Sequence, residues 1–562
     1  MAVSELVIAL SAVFVTAGVL LLVANQFGLS PIPFYIIAGL LAGRVVEDPA
    51  IIELALWGIA FLVFVFGIRL DLSAVQAVLR DAEVAAMSLL IVVAPIAFVV
   101  GLAFGQFFGF DDPVRNAIYF SAAATLSSTI VGAGLLEEEI RNNLVHGRLS
   151  SSIQFFDDLV AIGLVLILSA EVFTADEISS NIGFGVLFLL AALLIYRHGF
   201  PLLVRLANGV DELVLMGSIS VLIAFIAAAE YLEISIVVGA FAAGIAVRTD
   251  GAQTLSVRNG IESIRDFFVA IFFVTVGALV SVPTLQTISI ALVLVVLVAI
   301  VNPLILMAAF SYEGYDDRTA FLTGSSLNQV SEFSLVIAIQ ALVLGTITET
   351  LFDAIILAAA TTMILASITS ANLDRVYDSL VKHVTAGRQT RKVDQRSFVE
   401  PGLDDHVIVL GYGRQGRQIV GTLERLGRPY VVIENDPVMW NGLRTNCRNY
   451  VLGDAMADYP WEKAGVDAAT LVVSTVGQRR VSEQVLERAG DTDCILRAAT
   501  SRGAVELLDA GATYVAVPNV LAGDQLVETI EAVIDGDAED SIRNAHLDQL
   551  AALDRRGVTS RR

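Results

Sequence analysis

Asp157 and Asp158 stand side by side within SSSIQFFDDLVAIGLVLIL, Ser150–Leu168. A run this apolar reads as a bilayer span, where a charged side chain costs about 2.5–3.5 kcal/mol on insertion scales. Carboxylates kept at such depth line water-filled paths and handle ions or protons. Adjacent helical residues point about 100° apart, so the two aspartates are expected to diverge, one lining a cavity and the other taking a partner. A carboxyl that titrates near working pH binds either a proton or a cation, but not both. That competition is the minimal chemistry of coupled exchange.

A second chemistry is written in VIVLGYGRQGRQIV, Val407–Val420. Gly411, Gly413 and Gly416 form GxGxxG after a β-branched run and before a helical one, with Arg414 and Gln415 inside the motif. Such glycines permit a tight turn and close approach of backbone to phosphate, and the helix start supplies amide donors. Glu434 ends the next β-branched run, where an acid can bind ribose hydroxyls. With strand, helix and acid all in place, the motif predicts a bound nucleotide.

The elements that must position these residues fall into two parts. Residues 1–372 are nearly continuous apolar runs, and the chain of 562 residues is 56% hydrophobic, with mean hydropathy +0.74. The expected architecture is a polytopic α-helical membrane domain, then a charged linker over 373–402 and a doubly wound α/β Rossmann-like domain over 403–520. An acidic tail, 521–562, follows. Apolar segments count to about 13 spans of roughly 20 residues. Glu5 precedes the first run without a positive leader region, so that run is expected to be a retained helix. Candidate strands begin at His406, Tyr430, Tyr450, Thr470, Cys494 and Tyr514.

Two spans read as broken helices. TLSSTIVGAG, Thr125–Gly134, and LTGSSLNQVSEFS, Leu322–Ser334, gather Gly, Ser, Thr and Asn where lipid-facing helices use Leu or Val. Lying seven spans apart, they predict an inverted repeat with an ion site between its halves. Small residues alone would also serve close packing, but Asn328, Gln329 and Glu332 are not needed for that.

Arginine placement sets the expected orientation. With 13 spans and the C-terminal domain inside, ten arginines fall in inside loops (Arg69, Arg80, Arg141, Arg148, Arg197, Arg205, Arg248, Arg258, Arg265, Arg318) and only Arg44 and Arg115 outside. That matches the positive-inside rule and puts the N-terminus outside a plasma membrane. Net charge is −23, and Lys382, Lys392 and Lys463 are the only lysines. This acid-rich, lysine-poor balance predicts a high-salt cytoplasm, as in a halophilic archaeon, and argues against a nucleic-acid partner. Cys447 and Cys494 show no metal-ligand spacing and read as reduced cytosolic thiols.

The membrane part resembles the monovalent cation:proton antiporters of the second group, in particular the Kef-type potassium efflux proteins. The matching pieces run in the family's order: IPFYIIAGLLAGR from Ile32, FLVFVFGIRLDL from Phe61, ATLSSTIV from Ala124, QFFDDLVAI from Gln154, VVGAFAAGIAV from Val237, RDFFVAIFFVTVG from Arg265 and LNQVSEFSLVIA from Leu327. The resemblance implies about 13 helices, crossed broken helices beside the acid pair, a homodimer in membrane lipid and elevator-like alternating access. It implies Asp158 as the ion and proton carrier, with Ser127, Ser128, Thr129, Gln329 and Glu332 around it. Kef-type members commonly carry Gln-Asp where this chain has Asp157-Asp158. The double aspartate is typical of electrogenic sodium/proton exchangers, which place a lysine opposite the pair. Alignment puts Asn302 at that place, and no lysine precedes Lys382.

The soluble part resembles the TrkA-N-like nucleotide-binding domain that regulates potassium channels and transporters. Gly453, Asp454 and Ala455 match its third-strand motif. The resemblance implies NAD(H), AMP or another adenine nucleotide as a regulatory ligand, with K⁺ or Na⁺ as the transported ion. A nucleotide-gated potassium channel would need a pore loop such as TVGYG, which does not occur. A membrane-anchored dehydrogenase leaves the intramembrane acids unexplained.

Overall fold

The computed structural model describes residues 5–26, 30–43, 48–69, 82–141, 144–168, 175–208, 210–247, 255–370, 372–381, 394–534, 543–544 and 546–547. Arg44, Arg80, Arg248, Lys382, Lys392, the middle of the expected linker (382–393) and most of the acidic tail lie outside them. The chain divides into two compact units, Met1–Glu313 with Ala320–Tyr377, and Gly314–Thr319 with Asp378–Arg562.

The first unit is helical. Its helices are α1 (Glu5–Gln26), α2 (Ile32–Ala42), α3 (Asp48–Arg69), α4 (Glu83–Phe108), α5 (Pro113–Thr125), α6 (Thr129–Leu135), α7 (Glu137–Arg141) and α8 (Val145–Leu168). There follow α9 (Ser179–Ala207), α10 (Asp211–Tyr231), α11 (Ile236–Ala246), α12 (Leu255–Ala278), α13 (Leu285–Glu313), α14 (Asp317–Ser325), α15 (Glu332–Val343) and α16 (Glu349–Ser370). Among the described residues, six helices are long and apolar enough to cross a membrane: α4, α8, α9, α10, α13 and α16. Exposed Leu, Ile and Val along α9, α10 and α13 suit a lipid environment.

Three of the long helices contain a turn of π-helix, at Leu89–Val93, Ile195–Gly199 and Leu297–Val301. A proline, Pro95, Pro201 or Pro303, follows each by two residues. Proline removes one helical donor and crowds the carbonyl four residues back. Widening the helix at that carbonyl lets each span continue without breaking.

Helices elsewhere meet at glycine. A Cβ on Gly244 of α11 would lie 2.2 Å from the Phe64 carbonyl of α3, and one on Gly67 would lie 2.5 Å from the Phe241 carbonyl. Gly39 of α2 and Gly277 of α12 make the same reciprocal contact, 1.9 Å from Val274 O and 2.0 Å from Ile36 O. Without a hydrophobic drive between helices in lipid, such backbone approach supplies the packing energy. It explains the small residues in the runs from Ile32 and Val237 and the lone Gly67 in the run from Phe61.

The second unit holds a six-stranded sheet. Its strands are β1 (His406–Leu410), β2 (Tyr430–Glu434), β3 (Tyr450–Leu452), β4 (Ala469–Ser474), β5 (Asp493–Arg497) and β6 (Tyr514–Ala516). All pairings are parallel, in the order β3-β2-β1-β4-β5-β6. Every residue of β1, β2 and β3 is buried, as strands covered on both faces require. The helices are α17 (Arg414–Arg425), α18 (Trp440–Asn446), α19 (Tyr459–Ala464), α20 (Arg479–Ala489), α21 (Ser501–Asp509) and α22 (Pro518–Ile534). The six expected strands and the doubly wound parallel arrangement are present. Part of the segment that composition marks as linker also joins the sheet. Phe398 exchanges backbone bonds of 2.9 and 2.7 Å with Tyr450, antiparallel to β3.

Gly244→Val is expected to cost about 1–3 kcal/mol by overpacking the α3–α11 crossing, seen as a lower midpoint of thermal denaturation in detergent. Gly163→Ala of α8, where an added Cβ meets nothing within 4 Å, is expected to be neutral or to stabilise by up to about 1 kcal/mol.

Candidate ion and nucleotide sites

The first site forms where two helices stop inside the apolar core. Helix α5 ends at Thr125, Leu126 and Ser128 are extended, and Ser128 caps α6, its Oγ accepting from Val131 N at 3.3 Å. Helix α14 ends at Ser325, and Ser331, also extended, caps α15 by accepting from Phe333 N. The two extended stretches pair with each other. Ser127 and Val330 form an antiparallel bridge, and Ser331 N donates to Leu126 O at 3.2 Å.

Side chains satisfy the other backbone groups freed by the breaks. Asn302 Nδ2 donates to Ala124 O at 2.7 Å, Gln329 Nε2 to Ser128 O at 3.3 Å, and Val330 N to Thr362 Oγ1 at 3.1 Å. The bonds to Ala124 O and from Val330 N replace ones that a continuous helix would have made, as hydrocarbon surroundings demand, while Ser128 O also keeps its helical donor, Gly132 N, at 3.2 Å.

Both aspartates of α8 reach this crossing. Asp157 Oδ2 accepts from Ser127 N at 3.1 Å and Ser127 Oγ at 2.5 Å, and Asp158 Oδ1 accepts from Thr129 Oγ1 at 2.8 Å. The expected divergence is bridged where the extended stretch passes into α6: Ser127 and Thr129, on either side of the cap Ser128, meet two helical neighbours whose side chains splay apart. Glu332 Oε1 takes the next amide, Ile130 N, at 3.1 Å. Asp157, Asp158, Ser127, Ser128, Gln329, Glu332 and Asn302 are all buried, and Thr129 is half-buried.

Several buried atoms here have no hydrogen-bond partner among the described residues: Glu332 Oε2, Gln329 Oε1, Asn328 Oδ1, Asn302 Oδ1, Ser150 Oγ and Gln154 Nε2. Five of the six are oxygens, the ligands that hard monovalent cations take. Sequence reading did not single out Thr362 or Gly132. A Cβ on Gly132 would fall 2.0 Å from Gln154 Nε2 and 2.9 Å from Gln329 Nε2, so glycine is the residue that leaves room for both amides. The VGAG run that follows Ser128, Val131–Gly134, was the available signal for Gly132.

The second site lies at the carboxyl ends of β1 and β2. Gly411 has φ +87°, and a Cβ on Gly416 would sit 1.9 Å from Gly411 O. These two glycines close the loop tightly onto α17. Gly413 caps α17 with open space above it, and Arg414 and Gln415 are exposed at the helix start. The Glu434 carboxylate is engaged by three backbone amides, Tyr412 N at 2.5 Å, Asn435 N at 2.9 Å and Asp436 N at 3.0 Å. Burial raises its pKa above the ordinary glutamate range. Glu434 therefore ties the glycine loop to β2, and its spare lone pairs are what a ribose hydroxyl would meet.

Asp454 follows β3 on the same rim. Its Oδ1 accepts from Met456 N at 3.0 Å, and Ala455 O accepts from Trp461 Nε1 at 2.8 Å. A cavity of about 420 Å³ lies along α17 beside β4, β5 and β6, lined by Gln415, Gln418, Thr475 and Arg497 among others, and the glycines of the loop do not line it. Ligands bind at the switch point of open α/β sheets, here between β1 and β4. The start of α17 and the absence of a Cβ at Gly413 fit a nucleotide phosphate.

Residues 9–373 match the family model described as sodium/hydrogen exchanger, transmembrane. The chain belongs to the sodium/hydrogen exchanger family. Residues 407–518 match the TrkA-N domain. It is thus a multi-pass membrane transporter, not an enzyme, with a C-terminal nucleotide-binding domain. A protein of Escherichia coli (strain K12) named as a candidate cation/proton antiporter, YbaL, is 24% identical over 92% of this chain and 96% of its own. A protein of Alkalimonas amylolytica named as a candidate K⁺ efflux antiporter, KefB, is 27% identical over 88% of this chain and 77% of its own. The solved sodium proton antiporter MjNhaP1 of Methanocaldococcus jannaschii is 14% identical, spans 67% of this chain and 99% of its own, and has a TM-score of 0.49.

Glu434→Ala in the full chain removes the acceptor of three amides. It is expected to weaken binding of NADH or AMP by about 10–100-fold, from about 1.5–3 kcal/mol for bonds to a charged group, measured by calorimetry. Unchanged affinity would make Glu434 a loop tie and nothing more.

Proposed function

We propose that this cation/proton antiporter exchanges K⁺ for H⁺ by alternating access, and that nucleotide bound to its cytoplasmic domain regulates the exchange. The observation that carries the reading is the meeting of Asp157, Asp158 and Glu332 on one short stretch, Ser127–Ile130, where the break ends and α6 begins. Asp158 is the carrier. A cation enters against its carboxylate, with Thr129 Oγ1 and the unpartnered oxygens of Gln329 and Glu332 beside it. A proton arriving on Asp158 removes the charge that holds the cation, so the two are carried alternately. Asp157, held by Ser127, keeps the strand in register.

Asn302 supports a site without a fixed cation. Its amide is spent on Ala124 O, so it braces the broken helix at the place where sodium exchangers carry a lysine. Potassium is favoured by the likeness to relatives named as K⁺ efflux antiporters, one of them over 88% of this chain. The double aspartate favours a second reading, Na⁺/H⁺ exchange with the same regulatory domain.

About 13 spans with inverted repeats, the N-terminus outside and a homodimer complete the proposal. The exposed Leu526, Val527, Ile530 and Ile534 of α22 support the dimer.

Proton movement in everted vesicles tests the proposal, with K⁺ or Na⁺ added in turn. K⁺ alone is expected to dissipate the proton gradient, and Asp158→Asn is expected to reduce the response to that of empty vesicles. Dissipation by Na⁺ alone would establish the second reading. Normal exchange by Asp158→Asn would remove Asp158 as carrier.

A further inference from the structure

The unit that carries the nucleotide motif contains more than the C-terminal chain. Residues Gly314–Thr319 belong to it as well. They lie where α13 gives way to α14, and the chain after α14 enters the extended stretch that pairs with Ser127.

Within the unit this segment is held at several points. Gly314 O accepts from Arg396 Nη1 at 3.3 Å. Gly314 has φ +105°, and the Arg396 guanidinium occupies the space a Cβ would need, 2.0 Å away. Arg396 is itself fixed, because its carbonyl accepts from Trp440 Nε1 at 3.1 Å. Arg318 Nη1 lies 3.5 Å from Asp454 Oδ2, with 10% and 7% of the two side chains exposed. Asp316 faces the same pair. Its carboxyl is pushed up to about 7, by loss of solvent first and by Asp454 next, while Thr319 and Arg318 pull it down.

Asp454 is not a remote anchor. Gly453 N donates to Glu434 O at 2.8 Å, and Gly411 N to Ile433 O at 2.9 Å. The glycine loop, Glu434 and Asp454 are therefore three successive stations along one sheet rim, and Arg318 closes on the last of them.

We propose that Gly314–Thr319 is the segment through which nucleotide occupancy acts on exchange, with the Arg318–Asp454 ion pair as its latch. A buried carboxylate needs a cation or proton beside it. A nucleotide laid along the rim brings phosphate charge and ribose hydroxyls toward Asp454, which changes how firmly Asp454 holds Arg318. Arg318 lies in α14, and only Ala320–Asn328 separate the segment from Gln329 in the ion site. Movement of the latch thus reaches the crossing through a helix rather than through the long linker.

The proposal rests on the nucleotide reading above, and the test separates the two. Full-length protein in proteoliposomes is assayed for exchange with and without NADH or AMP, and the same preparations for binding by calorimetry. Arg318→Gln is expected to bind nucleotide as wild type does, while the ratio of exchange with and without nucleotide falls to one. Arg318→Lys, which keeps the charge, is expected to restore part of that ratio. An unchanged ratio in Arg318→Gln overturns the latch. Loss of nucleotide binding in Arg318→Gln makes Arg318 a ligand residue and also overturns it.

If no nucleotide alters wild-type exchange, the nucleotide reading fails and the segment is judged alone. Arg318→Cys with Asp454→Cys is joined by a short reducible thiol crosslinker. The native Cys447 and Cys494 are buried, with thiols pushed up to about 11 by burial, and react poorly. Exchange that changes on crosslinking and recovers on reduction supports mechanical coupling through the segment. Equal rates before and after reduction overturn it.

Discussion

The structure depends on one constraint: backbone donors and acceptors in hydrocarbon must find partners inside the protein. Two helices that break at Leu126 and beyond Ser325 violate it separately and satisfy it together, through the Ser127–Val330 bridge and the Ser331–Leu126 bond. The carboxylates take part in the same accounting. Ser127 N is capped by Asp157 and Ile130 N by Glu332. The acids that would handle the ion are therefore also acceptors for the broken backbone. Protonating or coordinating one of them alters the bonds that hold the crossing, which links occupancy of the site to its geometry without a separate device.

The nucleotide unit answers the same demand differently. Glu434 accepts three amides at the mouth of the glycine loop, so the loop is rigid around its acid. The start of α17 is left with amides facing open space above Gly413. A helix N-terminus with unengaged donors is a ready anion site. Rigid loop and open donors together give a site that is preformed, which lowers the ordering cost of binding.

Much of this was legible in the sequence because the signals are local. The strands from His406, Tyr430 and Tyr450 are β-branched runs closed by turn residues, and the breaks at Thr125–Gly134 and Leu322–Ser334 show as polar residues inside apolar spans. The acid pair was legible through its cost in lipid. What the sequence hid depends on contacts between distant segments. Nothing local says that Thr362 serves Val330 N, that Asn302 serves Ala124 O, or that Phe398 extends the sheet beside Tyr450. The membership of Gly314–Thr319 in the nucleotide unit is hidden for the same reason. Its residues are the ordinary polar content of a short loop between apolar helices.

The absence of lysine from the membrane part bears on how strictly the two ions are coupled. Asp157 is met by the N–H and O–H of Ser127, and Asn302 turns its donor elsewhere. Neutral dipoles offset part of the cost of a buried carboxylate but do not cancel its charge. A fixed ammonium would cancel it and let an unloaded site sit comfortably in the membrane. Without one, a site holding neither proton nor cation keeps an uncancelled charge, so in the proposed exchange the carrier would cross loaded with one or the other. On the proposed function, an asparagine that braces the helix in place of a fixed cation would disfavour an empty return and favour strict exchange.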